Sequence, residues 1–267
     1  MPKTVEDDLG REVTFEFPPR CVVSLCPSLT ETLFALGLNA EVVGRTSYCI
    51  HPAERVRNVA TVGGTKDVDI DRVRTLKPDL IIAAKEENPQ DTVETLAGTF
   101  PVYVVDVADF EDALRAIAAL GDLTERTAAA ATLAGSIRAA FADLHPRSTH
   151  RVAHLVWRDP YMAVGADTYI CSVLAKCGCA NVCAHLTDRY PEVTIEMLRG
   201  FAPQWVLLPS EPFPFDDTHV AELAPQLAPA RVMCVDGEMF SWYGSRMLAA
   251  AEYLQQFVAS LEAPANG

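Results

Sequence analysis

The chain has 267 residues, 49% of them hydrophobic and 22% charged, with a net charge of −14 at neutral pH. The acidic excess argues against nucleic acid or an anionic membrane surface as a partner, and the supply of aliphatic and aromatic side chains argues against disorder. No apolar run approaches the ~18 residues that a membrane-spanning helix needs.

The first residues, M-P-K-T-V-E-D-D-L-G-R, lack the apolar centre of a signal peptide. Eight cysteines without regular spacing fit a reducing compartment better than an oxidising one. The expectation is a cytoplasmic protein as the chain stands, or a periplasmic one if an export signal has been removed.

Residues 5–17 read as a hairpin or extended arm turning at Leu9-Gly10. A short β-rich run at 20–26 leads into a helix at 29–36, stopped by Gly37. A strand at 41–45 follows, then the loop T-S-Y-C-I-H-P. Further on come a helix at 70–76, a buried strand at 79–84, a polar loop at 85–90, a helix at 91–97 and a strand at 102–105. Strands alternating with helices imply a parallel sheet.

Gly121 closes a helical pattern, and Asp122 with Glu125 reads as a capping box opening a helix over 122–144. Leu133, Ile137, Ala140, Phe141 and Leu144 share one face of it. At 1.5 Å per residue it would span roughly 30 Å, either as a surface helix or as a strut between two lobes.

The alternation then restarts: a strand at 151–157, helices at 168–176 and 195–201, and strands at 205–208 and 231–235. A last helix carries Met247, Ala251, Leu254, Val258 and Leu261 at core spacing. An internal repeat supports two lobes: V-D-I-D-R-V-R-T-L-K-P-D-L-I-I from Val68 matches V-T-I-E-M-L-R-G-F-A-P-Q-W-V-L from Val193 at one fixed offset. Each copy reads as helix, proline turn and buried strand. Two such lobes imply a cleft, the usual place for a ligand.

P-S-L-T-E at Pro27–Glu31, the preceding R-C-V-V-S-L, V-G-G-T, L-K-P-D-L-I-I-A and the long helix together resemble the class III substrate-binding proteins of ABC importers, the helical backbone metal receptors. Tyr48 near His51-Pro52, C-G-C-A-N-V from Cys177 and Y-P-E-V-T from Tyr190 are most similar to the cobalamin-binding subgroup. The resemblance implies two Rossmann-like α/β lobes joined by a single long backbone helix, with a ligand cleft between them. The expected division is an N-terminal arm at 1–19, a lobe at 20–108, a connecting helical segment at 109–149, and a second lobe with the terminal helix at 150–267. It also implies a monomer that binds without catalysis, needs no cofactor, and serves an ABC permease.

Aromatic residues cluster in loops at the carboxyl ends of strands, where open α/β sheets bind ligands: Tyr48, Trp157, Tyr161, Tyr190, Phe213, Phe215, Phe240, Trp242 and Tyr243. Some of these should instead pack beneath the loops. The resemblance places Tyr48, Trp157, Tyr190, Phe240 and Arg246 among the cleft residues, beside Arg158 and Lys85 as polar candidates. Cys49 and His51 offer a thiolate and an imidazole to a metal, or else a buried thiol and a structural histidine. Cys177 fits the subgroup's pattern, whereas Cys179 and Cys183 depart from it; with His185 the cluster offers ligands for a zinc or iron–sulfur site, but its spacing is not C-x₂-C, and the three cysteines read as reduced thiols without metal. The acids Asp71 and Glu196 occupy matching repeat positions. The resemblance implies that such acids face arginines of the permease, the alternative being plain solvated helix residues.

The expected ligand is a corrinoid such as cobalamin. An iron–siderophore complex, haem or a bare metal ion is the alternative, and a Cys/His-dependent enzyme is the reading of another class. The chain carries no G-x-S-x-G, H-E-x-x-H or dinucleotide fingerprint, and Gly63–Lys66 lacks the spacing of a phosphate loop.

Overall fold

A computed structural model describes residues 1–262. The chain divides into two compact units. Of the described residues, the first comprises 1–107, 111–136 and 243–246, and the second comprises 108–110, 137–242 and 247–262.

In the first unit, β1 (Pro2–Glu6) and β2 (Glu12–Glu16) form an antiparallel hairpin. The main sheet is wholly parallel in the order β5-β4-β3-β6-β7: β3 is Val22–Ser24, β4 Val42–Arg45, β5 Ala60–Thr61, β6 Leu80–Ala84 and β7 Val102–Val105. Between these strands run α1 (Pro27–Ala35), α2 (Ala53–Val56), α3 (Ile70–Leu76) and α4 (Gln90–Ala97). Every residue of β6 is buried, as a central parallel strand with covered faces requires.

Two helices follow, α5 (Phe110–Leu123) and α6 (Thr127–Ala142). They correct the single helix expected from Asp122. Gly121 lies inside α5 and does not end it; a Cβ there would sit 2.4 Å from the Ala130 methyl, so the missing side chain lets α6 approach. Glu125 takes a left-handed turn (φ 60) and cannot serve as the third residue of a helix. Asp122 accepts a hydrogen bond from the Thr127 hydroxyl at 2.8 Å, tying the end of one helix to the start of the next. The 16 residues of α6 span about 24 Å. The boundary between the units falls within α6, after Ser136. Ile137, Phe141 and Leu144 are buried as expected, while Leu133 is only partly so.

The second unit's sheet runs β10-β8-β11-β12, all parallel, with β9 antiparallel on β8: β8 is His150–Trp157, β9 Met162–Ala163, β10 Cys179–Asn181, β11 Trp205–Pro209 and β12 Arg231–Val235. Its helices are α7 (Tyr169–Lys176), α8 (Ile195–Phe201), α9 (Asp217–Leu227), α10 (Glu238–Ser241) and α11 (Met247–Glu262). All five core-spaced residues of the last helix are buried.

The repeat is realised atom by atom. Asp69 and Thr194 cap α3 and α8 by accepting from the amides of Arg72 and Met197. Lys77 and Ala202 end them in the left-handed conformation, φ 49 in both, each amide returning to the carbonyl of the arginine three residues back. Pro78 and Pro203 then forbid continuation. Val73 and Leu198 are the wholly buried helix residues. Next, the Asp79 carboxylate accepts from the Arg20 and Cys21 amides, and the Gln204 side-chain oxygen accepts from Arg151. Each copy thus pins the neighbouring strand where its ladder begins.

Candidate functional site

The first unit's carboxyl edge is built from the ends of β3, β4 and β6. The loop after β4 alternates its side chains: Tyr48 and Ile50 are exposed, 61% and 49%, while Cys49 between them is completely buried. The Cys49 thiol lies 3.1 Å from both the Thr30 and Thr46 hydroxyls, and burial pushes its pKa up, those hydroxyls opposing. The expectation that Cys49 faces a ligand or metal is therefore corrected: it fills the unit's interior. His51 is half-buried and engaged within the protein. Among the described residues, no group of three or more His, Cys, Asp or Glu side chains is arranged to hold a metal ion.

Asn88 is the hub of this edge. Buried itself, it accepts from the Ala84 amide and donates to the carbonyls of Leu25 (3.1 Å) and Thr65 (3.0 Å), joining three loops. Lys85 pairs with Asp106 at 2.5 Å, and Lys66 donates to the Glu86 carbonyl. The Tyr243–Arg246 segment seats on α1. Gly244 has φ +80, and a Cβ there would lie 2.0 Å from the Thr32 hydroxyl, which instead accepts from the Ser245 amide. Arg246 forms a two-point pair with Glu31. The pair holds this segment on α1, with the Arg246 side chain only 12% exposed. Tyr243 lies 3.8 Å from the Cys26 thiol.

In the second unit, Trp157 ends β8 with 43% of its surface exposed and its ring edge-on to Phe213, centroids 5.8 Å apart. Arg158 pairs with Glu222 at 3.0 Å and with Asp159. Tyr161 packs against the core, and burial raises its pKa first of all. Tyr190 helps to line an open groove of about 490 Å³ with Met162, Leu186, Asp188 and Glu192.

Phe240 and Trp242 are corrections. Phe240 is fully buried, its ring 5.4 Å from His154 and 5.2 Å from Phe257, because the short α10 turns it under α11. Trp242 is 7% exposed and donates its indole N–H to Glu211 at 2.6 Å. These aromatics are part of the core. The thiols of Cys177, Cys179 and Cys183 are buried and free, their pKa values raised by desolvation, to about 12 for Cys179 and about 11 for Cys183. His185 stacks edge-on with Phe201 at 4.8 Å. Asp71 and Glu196 are both exposed at the second position of their helices; Asp71 also pairs with Arg74.

Sequence reasoning did not single out Ile50, and it took Glu87 and Asn88 only together, as part of the polar segment 85–88 that could reach a corrin's amide fringe or a carboxylated ligand, or else be a solvated loop. Alternation outward from the buried Cys49 is the one signal that could have found Ile50.

Two parallel α/β units, each leaving a large aromatic exposed at its carboxyl edge, define a ligand-binding protein of the two-unit α/β class. The chain belongs to the periplasmic binding protein family, whose model matches residues 22–219. It is 26% identical over 254 residues to a vitamin B12-binding protein of Pectobacterium atrosepticum, covering 91% of this chain and 90% of that one. In structure it is similar to the periplasmic vitamin B12-binding protein of Vibrio cholerae, with TM-score 0.75 and 22% identity over 93% of this chain and all of that one. It is also similar to a periplasmic heme-binding protein from Roseiflexus sp. RS-1, with TM-score 0.78 and 21% identity over 90% and 98% of the two chains.

Proposed function

We propose that this protein captures a corrinoid, without catalysis, on the carboxyl-edge loops of its two units, as the substrate-binding component of an ABC-type importer. The observation that carries the reading is the exposure of Tyr48 and Trp157, one on each unit. Exposed aromatic faces on rigid edges suit a large flat ligand. The similarity to vitamin B12-binding proteins over nine-tenths of the chain supports the same choice. Tyr190, Tyr161 and His51 extend the contact surface in this reading, with Lys85 and Arg158 at its polar margin. Cobalamin is ligand here, not cofactor.

The second residue of α3 and of α8, Asp71 and Glu196, are the proposed contacts to the membrane permease. Charge pairs of this kind act chiefly on encounter rate and register. Retained capture of the detergent-solubilised permease by the Asp71→Ala/Glu196→Ala protein would remove that assignment.

A second reading, a cytoplasmic relative of such receptors, is favoured by eight free cysteines. No described helix is long and apolar enough to cross a membrane. Fractionating cells that express the tagged protein decides between the two readings. Titration with cobalamin, cobinamide and haem, followed by absorbance, tests the ligand. The reading predicts saturable binding of the corrinoids, and binding of haem alone would contradict it.

A further inference from the structure

Glu87 occupies a particular place on the first unit's carboxyl edge. It follows β6 in a turn closed by its own amide to the Ala84 carbonyl. The Asn88 hub fixes that turn against Leu25 and Thr65. The Glu87 carboxyl is half-buried, hydrogen-bonded to the Thr65 side chain, and close enough to Cys26 and Tyr243 to influence both electrostatically. Tyr48 borders the loop that carries Thr65, since a Cβ on Gly64 would lie 3.2 Å from its ring.

The cations around this edge are already committed. Arg45 donates to the carbonyls of Val56 and Thr46, and Lys66 to that of Glu86; Lys85 is held by Asp106 and Arg246 by Glu31. A ligand carboxylate arriving here would meet matched cations and an acid held back from solvent. Burial is the largest influence on that acid, raising its pKa, with Lys66 opposing. A primary amide would meet a hydrogen-bond acceptor instead.

We propose that Glu87 is a specificity-determining residue of the ligand site: it accepts from the amide fringe of a corrinoid and disfavours a carboxylate fringe. This rests on the corrinoid reading above and adds the discrimination between amide-bearing and acid-bearing tetrapyrroles. Two carboxylates in one partly desolvated contact either repel or must take up a proton, and that cost is a general means of rejecting a wrong ligand.

The test uses the full chain and two probes that differ in that fringe, dicyanocobinamide with amides and dicyanocobyrinic acid with carboxylates, titrated by calorimetry. The wild type should prefer the amide by at least roughly tenfold, about the discrimination of one repulsive contact. Glu87→Gln should bring the ratio of dissociation constants to within about threefold, by gaining affinity for the acid. Glu94→Gln removes the same charge from exposed α4 and should leave the ratio where it was. A wild-type ratio near one, an unchanged ratio in Glu87→Gln, or an equal fall in Glu94→Gln overturns the proposal while leaving corrinoid capture standing. If neither probe binds the wild type, the corrinoid reading fails and the role of Glu87 fails with it.

Discussion

Arg246 and Glu31 meet at two points, Nη2 to Oε1 at 2.9 Å and Nε to Oε2 at 3.0 Å, with side chains only 12% and 18% exposed. Planar two-point pairing fixes geometry as well as charge. It also anchors Tyr243–Arg246 in the first unit, just before α11 begins in the second. Removing one partner strands the other in a poorly solvated place. Arg246→Ala is expected to lower stability by roughly 2–4 kcal/mol, and Glu31→Gln/Arg246→Gln by less than the single change. Urea unfolding of the three proteins measures this; a double mutant worse than Arg246→Ala would count against the anchor.

Gly244 is the second fixture of that segment. Its φ of +80 disfavours any side chain, and the Thr32 hydroxyl occupies the space a methyl would need. Gly244→Ala should cost roughly 1–3 kcal/mol from backbone strain and the displaced hydroxyl. Thermal unfolding within a degree of wild type would contradict it.

Phe240 packs on Phe257 of α11 and on His154 of β8. Phe240→Ala should destabilise by about 3–5 kcal/mol, as for other buried aromatics. Tyr48→Ala, by contrast, should leave the denaturant midpoint nearly unchanged, because its ring is largely in solvent. A ligand effect of Phe240→Ala on fully folded protein would restore it to the binding surface.

The repeat was readable because capping residue, proline and buried strand recur at fixed spacing, and each of these signals acts locally. The helical connection was misread at Gly121 and Asp122. Both serve the packing of α5 on α6, which no local pattern announces. The same limit explains Cys49, Phe240 and Trp242. Their residue types suit a ligand wall as well as a core, and only the direction of the backbone decides. Tyr48 and Trp157 remained outside because the loop after β4 and the end of β8 turn them to solvent.

His154 is buried on β8 against Phe240, and neither ring nitrogen makes a well-formed hydrogen bond. Burial lowers its pKa to about 4 from an ordinary value of 6.5, with the Leu155 main chain opposing only in part. The folded state therefore holds the neutral ring, and protonation favours unfolding. This contribution is complete above pH ~6.5 and is lost as pH falls towards ~4, roughly 3 kcal/mol in all. His154→Phe should flatten that part of the stability profile; an unchanged slope of urea stability between pH 7 and pH 5 would assign the acid sensitivity elsewhere.

The central claim is capture of a corrinoid by exposed aromatics of both units. Calorimetric titration of cyanocobalamin into the wild type, Tyr48→Ala and Trp157→Ala tests it most directly. The account predicts wild-type binding well below about 100 μM, and a loss of about 2–4 kcal/mol for at least one aromatic that acts as a hot spot. No detectable binding, or equal affinity in all three folded proteins, would contradict it.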